Sequence, residues 1–216
     1  MLALDLAQPG RELKVLCLGA HADDIEIGAG GTMLSWIAGG ARLDVLWCVL
    51  SAHGDRADEA QASAEDFLNG AASHAVALGA FRDSYLPYEG AAVKAWMEGQ
   101  RQRMPAPDVV LTHRSDDAHQ DHRLTNELAW NLYRDSLILE FEIPKWDGDL
   151  ARSNAYVELS PETLDRKVAL LERHFGSQRS KAWFDAETFR GLARLRGVEC
   201  RTRYAEAFTV RKLLLR

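Results

Sequence analysis

The sequence predicts one α/β domain over residues 1–216, with a mostly parallel, doubly wound sheet flanked by helices. Three observations carry that expectation. Short apolar runs alternate with helical stretches along the whole chain, the pattern of successive βαβ units. The runs Val15–Leu18, Leu43–Leu50 and Val109–Thr112 are apolar almost throughout, as strands covered on both faces must be. No repeat, low-complexity segment or linker interrupts them, and 216 residues suffice for one sizeable core but are few for two.

The elements follow in order. A first strand, about Lys14–Leu18, breaks at Gly19 into a small, acidic turn and a helix near Gly28–Ala38, which Gly39 and Gly40 end. Leu43–Leu50 is the second strand. Ala57–Leu78 then reads as one long helix closed by Gly79, because its Ala, Leu and Phe residues mostly recur at three- and four-residue steps. A short strand near Asp83–Leu86 and a helix from about Ala91 to Arg103 precede the Pro105 and Pro107 breaker and the strand Val109–Thr112. A helix from about His119 to Tyr133, a strand Leu137–Ile143 and a turn-rich loop Pro144–Asn154 come next. Tyr156–Leu159 is read as a short edge strand. Ser160-Pro161 starts a helix running to about His174, with proline at its first position. A helix near Ala186–Arg196 and a strand near Ala205–Val210 complete the chain.

The bulk numbers exclude some functions. A net charge of −6 offers no electrostatic footprint for nucleic acid. The first residues lack the basic and apolar regions of a signal peptide, and no apolar stretch approaches the roughly 20 residues of a membrane helix. Of three scattered cysteines, Cys17 and Cys48 lie in strand-like runs and read as small hydrophobes, while Cys200 has no close pair. The expectation is a cytoplasmic protein.

Two clusters carry the chemistry. LCLGAHADDIEIGAGGT, Leu16–Thr32, and HRSDDAHQDH, His113–His122, each follow a strand. In the common 3-2-1-4-5 strand order, strands one and four are neighbours where the chain reverses direction, and both turns open into one crevice. One ion can then take His21 and Asp24 from the first turn and His122 from the second. Three protein ligands with a position left for water is the catalytic zinc pattern, and neither cluster contains the cysteines of a closed structural site. Zinc is favoured, though Fe²⁺, Co²⁺ or Mn²⁺ also suit a His/His/Asp set. Water acidified by such an ion still needs a base, and Asp23 is the candidate. His119, three residues before His122, could stabilise an oxyanion as an imidazolium and protonate a leaving amine. Asp121 could orient a histidine from behind.

Blander readings stand beside these. Asp23 and Asp24 could simply cap the following helix, and His74 and His174 read as helix residues without a special role. A dinucleotide fingerprint counted from Gly19 would place His21 and Asp24 where glycines are required, which argues against a nicotinamide or flavin site. Gly28, Gly30 and Gly31 instead suggest a helix packed closely on the sheet.

At these residues the sequence resembles the LmbE-like (PIG-L) family of zinc-dependent N-acetyl-sugar deacetylases. The likeness rests on Ala20-His21-Ala22-Asp23-Asp24 with Gly30-Gly31-Thr32, and on His113, Asp117, His119, Asp121 and His122. Weaker similarity continues through Arg56, Glu59, Ser177-Gln178, Arg190-Gly191 or Arg196-Gly197, and Tyr204-Ala205-Glu206. The resemblance implies a Rossmann-like domain, zinc on His21, Asp24 and His122, Asp23 as general base and His119 as electrostatic and acid partner. It also implies that Arg56 contacts substrate, the alternative being a surface helix cap. Two positions depart from the family pattern. Ala22 replaces the usual proline, and Ile25 stands where many members have Glu, with Glu26 one place later and read either as part of the site or as a solvent-facing or helix-capping residue.

The function expected is hydrolysis of the acetamide of an amino sugar or its conjugate, giving acetate and a free amine. The alternatives are another amide, such as a thiol conjugate or acylated antibiotic, and a catalytically silent subunit that binds a sugar or a partner. Pro144–Asp149 and the His53–Arg56 loop are expected to shape the pocket, with Trp146 either stacking on a ligand or packing.

Overall fold

The computed structural model describes residues 2–215. Its regular elements are β1 (Glu12–His21), α1 (Asp24–Ala38), β2 (Arg42–Ser51), α2 (Asp55–Phe67), β3 (Ser73–Leu78), α3 (Gly90–Arg103), β4 (Val109–His113), α4 (Gln120–Tyr133), β5 (Leu137–Phe141), β6 (Ala155–Leu159), α5 (Pro161–His174), α6 (Ala186–Cys200) and β7 (Tyr204–Thr209). The strands form one sheet in the order β3-β2-β1-β4-β5-β7-β6. The first five run parallel, with Val15 opposite both Val45 and Val109, while β7 pairs antiparallel with β5 and β6. The expected doubly wound order is present, and β1 and β4 are neighbours at its switch point.

Successive strand residues face opposite sides of the sheet, and the chain builds a core on each. Val15, Cys17, Val45, Trp47, Leu111 and Phe141 lie in one, together with Met33 of α1, Leu164 and Leu171 of α5 and Phe189 of α6. Leu16, Leu18, Leu46, Cys48 and Val110 lie in the other, with Val93 and Met97 of α3 and Leu128 and Leu132 of α4. α1 is buried along most of its length. A Cβ on Gly28 would lie 2.3 Å from the Phe141 ring, and one on Gly31 would lie 2.7 Å from Leu159. These two glycines therefore allow the close approach to the sheet that their spacing suggested, whereas Gly30 faces Phe67 of α2.

Two expected elements are corrected. The long helix over 57–78 stops at Phe67, because the chain turns at Asn69-Gly70, where Gly70 has a φ of 101° that a continuing helix does not allow. Its second half is β3, and the three- and four-residue spacing carried through Ala75, Val76 and Leu78 was coincidental with a strand. His74 thus lies on β3, paired with Glu65 at 2.8 Å, and not on a helix. The strand expected near 83–86 is a turn followed by a single 3-10 turn, Leu86–Glu89. Among the described residues no helix is long and apolar enough to cross a membrane.

Candidate metal centre

The sheet's carboxyl edge brings the two clusters together as the strand order requires. β1 ends at His21 and α1 begins at Asp24, with Asp23 between them at a φ of 114°, a strained backbone for a residue with a side chain. Asp23 occupies the cap position of α1, yet its side chain makes no cap hydrogen bond. The capping explanation fails there. On the other side, His119 caps α4 by accepting from Asp121 N at 3.2 Å, which places Asp121 and His122 in the first turn facing β1.

His21 Nδ1, Asp24 Oδ2 and His122 Nε2 form a triangle with edges of 3.2, 3.3 and 3.5 Å. Tetrahedral coordination with bonds of about 2.0–2.1 Å needs donors about 3.3–3.4 Å apart, so these three side chains fit one zinc-like ion. The remaining nitrogen of each imidazole meets a carboxylate. His21 Nε2 lies 3.2 Å from Asp121 Oδ2, and His122 Nδ1 lies 3.1 Å from Asp117 Oδ2. Carboxylates behind ligand histidines fix the ring and raise its basicity. Asp121 is itself held by Ser84 N and Leu86 N at 2.7 and 3.2 Å, and Asp117 by His119 N at 2.8 Å.

The charges are arranged for a cation. Burial pushes His122 down to about 3, helped by the His113 ring stacked on it at 3.8 Å, so it is a neutral donor. Burial alone would raise Asp24, but His122, His113 and His21 around it hold it well below the usual carboxylate range. His21 is driven the other way: against burial, Asp24 and then Asp121 raise it well above an ordinary imidazole. Asp23 is pushed up to about 7 by burial and by Asp24, with Arg56 opposing. His119 is lowered, first by burial and then by the charge of His21.

Arg56 sits at the start of α2 and lines the cleft, but its guanidinium is engaged. It donates to Ala22 O, to Asp23 Oδ1 at 3.2 Å and to Ser177 Oγ at 3.1 Å, tying the acidic turn to the chain after α5. For Glu26 the solvent-facing and capping alternatives are overturned. It is 1% exposed, neither facing solvent nor capping, because α2 covers that side of α1. Both its oxygens lack a hydrogen-bond partner, and burial raises it to about 8.

Some site residues were not foreseen. Asp83, in the loop after β3, approaches His21 Nε2 to 3.3 Å, and His113 Nε2 lies 3.2 Å from Asp24 Oδ2 while accepting from Ala20 N. Placing β3 at its true position would have put Asp83 on the ligand-binding edge. Lys145 bonds Asp117 Oδ1 at 3.0 Å and Asp149 at 2.9 Å, and no sequence signal marks that link. The whole opens into a cleft of about 450 Å³, whose outer wall includes Trp146, Lys181 and Trp183.

The fold and this cluster define a doubly wound α/β domain with a candidate three-ligand metal centre at its switch point. The family model PIG-L, described as GlcNAc-PI de-N-acetylase, matches residues 16–133, more than half of the chain and including both clusters, and the chain belongs to that family. No curated protein sequence matches it. Solved structures do. The N,N'-diacetylchitobiose deacetylase of Pyrococcus horikoshii is 21% identical, with a TM-score of 0.64 over 91% of this chain and 83% of that one. GalB, the 4-carboxy-2-hydroxymuconate hydratase of Pseudomonas putida KT2440, is 20% identical, with a TM-score of 0.66 over 94% and 98%. The zinc-inhibited form of teicoplanin deacetylase Orf2 is 15% identical, with a TM-score of 0.71 over 91% and 97%. At such identities the likeness establishes the fold.

Proposed function

We propose that the chain is a metal-dependent N-deacetylase that removes the acetyl group of an N-acetylated amino sugar or sugar conjugate. The single observation that carries this reading is the donor triangle of His21, Asp24 and His122, each imidazole backed by a carboxylate, beside an unpaired-to-the-helix and strained Asp23. Zinc is the ion the donor set favours, with Fe²⁺, Co²⁺ and Mn²⁺ as alternatives. When bound, such an ion polarises the amide carbonyl and makes water a better nucleophile near neutral pH.

The chain's own residues supply the rest. Asp23 accepts the proton of the attacking water, and Arg56 holds its carboxylate in place. His119 Nδ1 already accepts the Asp121 N–H, so its proton resides on Nε2. Its Nε2–H is suited to bond the developing oxyanion, and the proton that Asp23 took from water passes to the departing amine. Asp121 and Asp117 orient the two ligand histidines. The C–N bond breaks, and acetate and the free amine leave.

Membership of PIG-L and the likeness to two structures named as deacetylases support a sugar amide as substrate. The hydratase among the neighbours shows that this fold also hosts a different reaction. The test is release of free amine and acetate from a panel of N-acetylated sugars, nucleotide sugars and glycolipid head groups, comparing zinc-loaded with chelated enzyme. Zinc-dependent amine release is expected. Zinc bound at about one per chain, as a three-ligand site predicts, with no amine released from any member, overturns the deacetylase reading while leaving the metal centre.

A further inference from the structure

The base Asp23 finds no partner for its side chain on its own turn. Its backbone φ is 114°, and its carboxylate makes no cap hydrogen bond to α1. Among the described residues, its one side-chain hydrogen bond comes from Arg56 NH2, at 3.2 Å from Oδ1. The direction of the carboxylate is thus set by the direction of one guanidinium. An arginine side chain has many rotamers to lose, and this one is 25% exposed, so it needs fixed points of its own.

Two acceptors provide them. Arg56 NH2 also donates to Ala22 O, beside the base, and NH1 donates to Ser177 Oγ at 3.1 Å, 121 residues further along the chain. Ser177 lies in a single 3-10 turn, Gly176–Gln178, that follows α5. That turn is anchored on both sides, since Phe175 is fully buried and Gln178 nearly so. A serine hydroxyl offers one proton and two lone pairs, and here all three are used. It donates to Glu59 Oε2 at 2.6 Å and accepts from Arg56 NH1 and, at 3.0 Å, from Gln178 Nε2. Ser177 N donates to the other Glu59 oxygen at 2.8 Å, so one carboxylate grips the serine twice and fixes where its proton points. A lone pair is left facing the guanidinium, which can only donate. Glu59 itself approaches Arg56 NH1 only to 3.7 Å, and adds charge to the link more than direction. The relay runs from Glu59 through Ser177 and Arg56 to Asp23. It carries the position of the turn after α5 to the proton acceptor at the end of β1.

We infer that Ser177 is a positioning residue for the hydrolysis: its hydroxyl, fixed by Glu59, aims the Arg56 guanidinium and through it the Asp23 carboxylate at the attacking water. This rests on the deacetylase reading above and deepens it. A base that is present but turned away loses rate, because it must lie within hydrogen-bond reach of the proton it takes.

The experiment compares wild type, Ser177→Ala, Ser177→Thr, Arg56→Met and the double variant Ser177→Ala with Arg56→Met. Each is zinc-loaded and given the member of the N-acetylated panel that the wild type turns over best. In Ser177→Ala, kcat should fall about tenfold, the scale of one hydrogen bond to a charged group, with KM and bound zinc unchanged. Ser177→Thr keeps the hydroxyl and should retain most of the wild-type kcat. Arg56→Met should fall at least as far as Ser177→Ala, and combining the two should cost nothing more, because the hydroxyl acts only through the guanidinium. An unchanged kcat in Ser177→Ala overturns the inference. So do losses that multiply in the double variant, a Thr variant as slow as the Ala variant, or zinc lost from Ser177→Ala, which marks a support of the fold. Crystal structures of wild type and Ser177→Ala give a reading independent of turnover. The contact between Arg56 and Asp23 should be present in the first and broken in the second, and a contact kept in Ser177→Ala overturns the positioning role. Absence of turnover in the wild type falls on the deacetylase reading, and the two crystal structures still decide this one.

Discussion

At the scale of single residues, the adjacent aspartates Asp23 and Asp24 show how the backbone divides one chemical group between two tasks. Asp24 points inward to three histidines and is held ionised, whereas Asp23, turned by its positive φ, meets only Arg56 and is raised to about 7. Replacing Asp23 by Asn keeps the shape and the hydrogen bonding to Arg56 but removes the base. Turnover should fall by about 10²- to 10⁴-fold, the usual range for general base catalysis, with metal content by elemental analysis unchanged. Loss of the metal along with activity would make Asp23 a ligand instead. Asp121 answers a different question, because it touches the centre only through His21. Asp121→Asn should weaken zinc affinity about 10- to 100-fold, as removing carboxylates behind ligand histidines does, measured by competition with a chromophoric chelator. An unchanged affinity would reduce Asp121 to its structural bonds with Ser84 and Leu86. Both aspartates were legible from sequence because motif spacing and the strand-to-helix handover place them on one edge. Asp83 was not, since its position depends on where β3 ends.

Among the elements, α1 is the piece on which the site depends and the one whose support is least local. Its N-terminus delivers Asp24, yet its middle is pinned from β7 and α5. Glu206 accepts from Gly31 N and Thr32 N at 2.7 and 2.6 Å, and Lys167 Nζ joins Glu206 to Ile27 O at 2.6 Å each. Both charges are buried, so removing one strands the other. Lys167→Met should destabilise the fold by ~3–5 kcal/mol, the cost of breaking a buried ion pair from one side, read from urea unfolding. A loss below about 1 kcal/mol, typical of an exposed pair, would show that water reaches the pair. Strands β1, β2 and β4 were legible because each holds an apolar run, β5 because of its alternation and β-branched residues, and the helix after β4 because its apolar residues keep one period. The 57–78 segment misled because alanine-rich spacing is compatible with helix and with strand, and the Asn69-Gly70 turn was the overriding signal. The pinning of α1 was illegible for another reason. Tyr204-Ala205-Glu206 carries only a family resemblance, and nothing in its spacing announces that Glu206 meets a helix 174 residues earlier in the chain.

For the whole molecule, the candidate centre joins the two halves of the sheet. Two of its ligands come from the β1–α1 turn and the third from α4, on either side of the switch point, so an ion held there ties the first half of the chain to the second. Asp24, Asp83 and Asp121 all lie within 3.3 Å of the His21 ring, a concentration of carboxylates that a cation would offset. An ion that binds the folded chain and not the unfolded one adds about 4 kcal/mol at a free concentration near 1,000 times its dissociation constant. For a domain of this size each kcal/mol moves the melting temperature by about 2–4 °C, so chelation should lower it by about 8–16 °C, and restored zinc should return it. Scanning calorimetry of chelated and zinc-loaded protein measures this directly. His122→Ala supplies the contrast, because it removes one corner of the triangle and should melt at the same temperature with and without the chelator. If instead the wild type melts identically in both states, the ion is not shared between the two turns. A shift that survives in His122→Ala would move the binding site to the neighbouring set of His21, Asp83 and His119, whose donors also lie within 4.8 Å of one another.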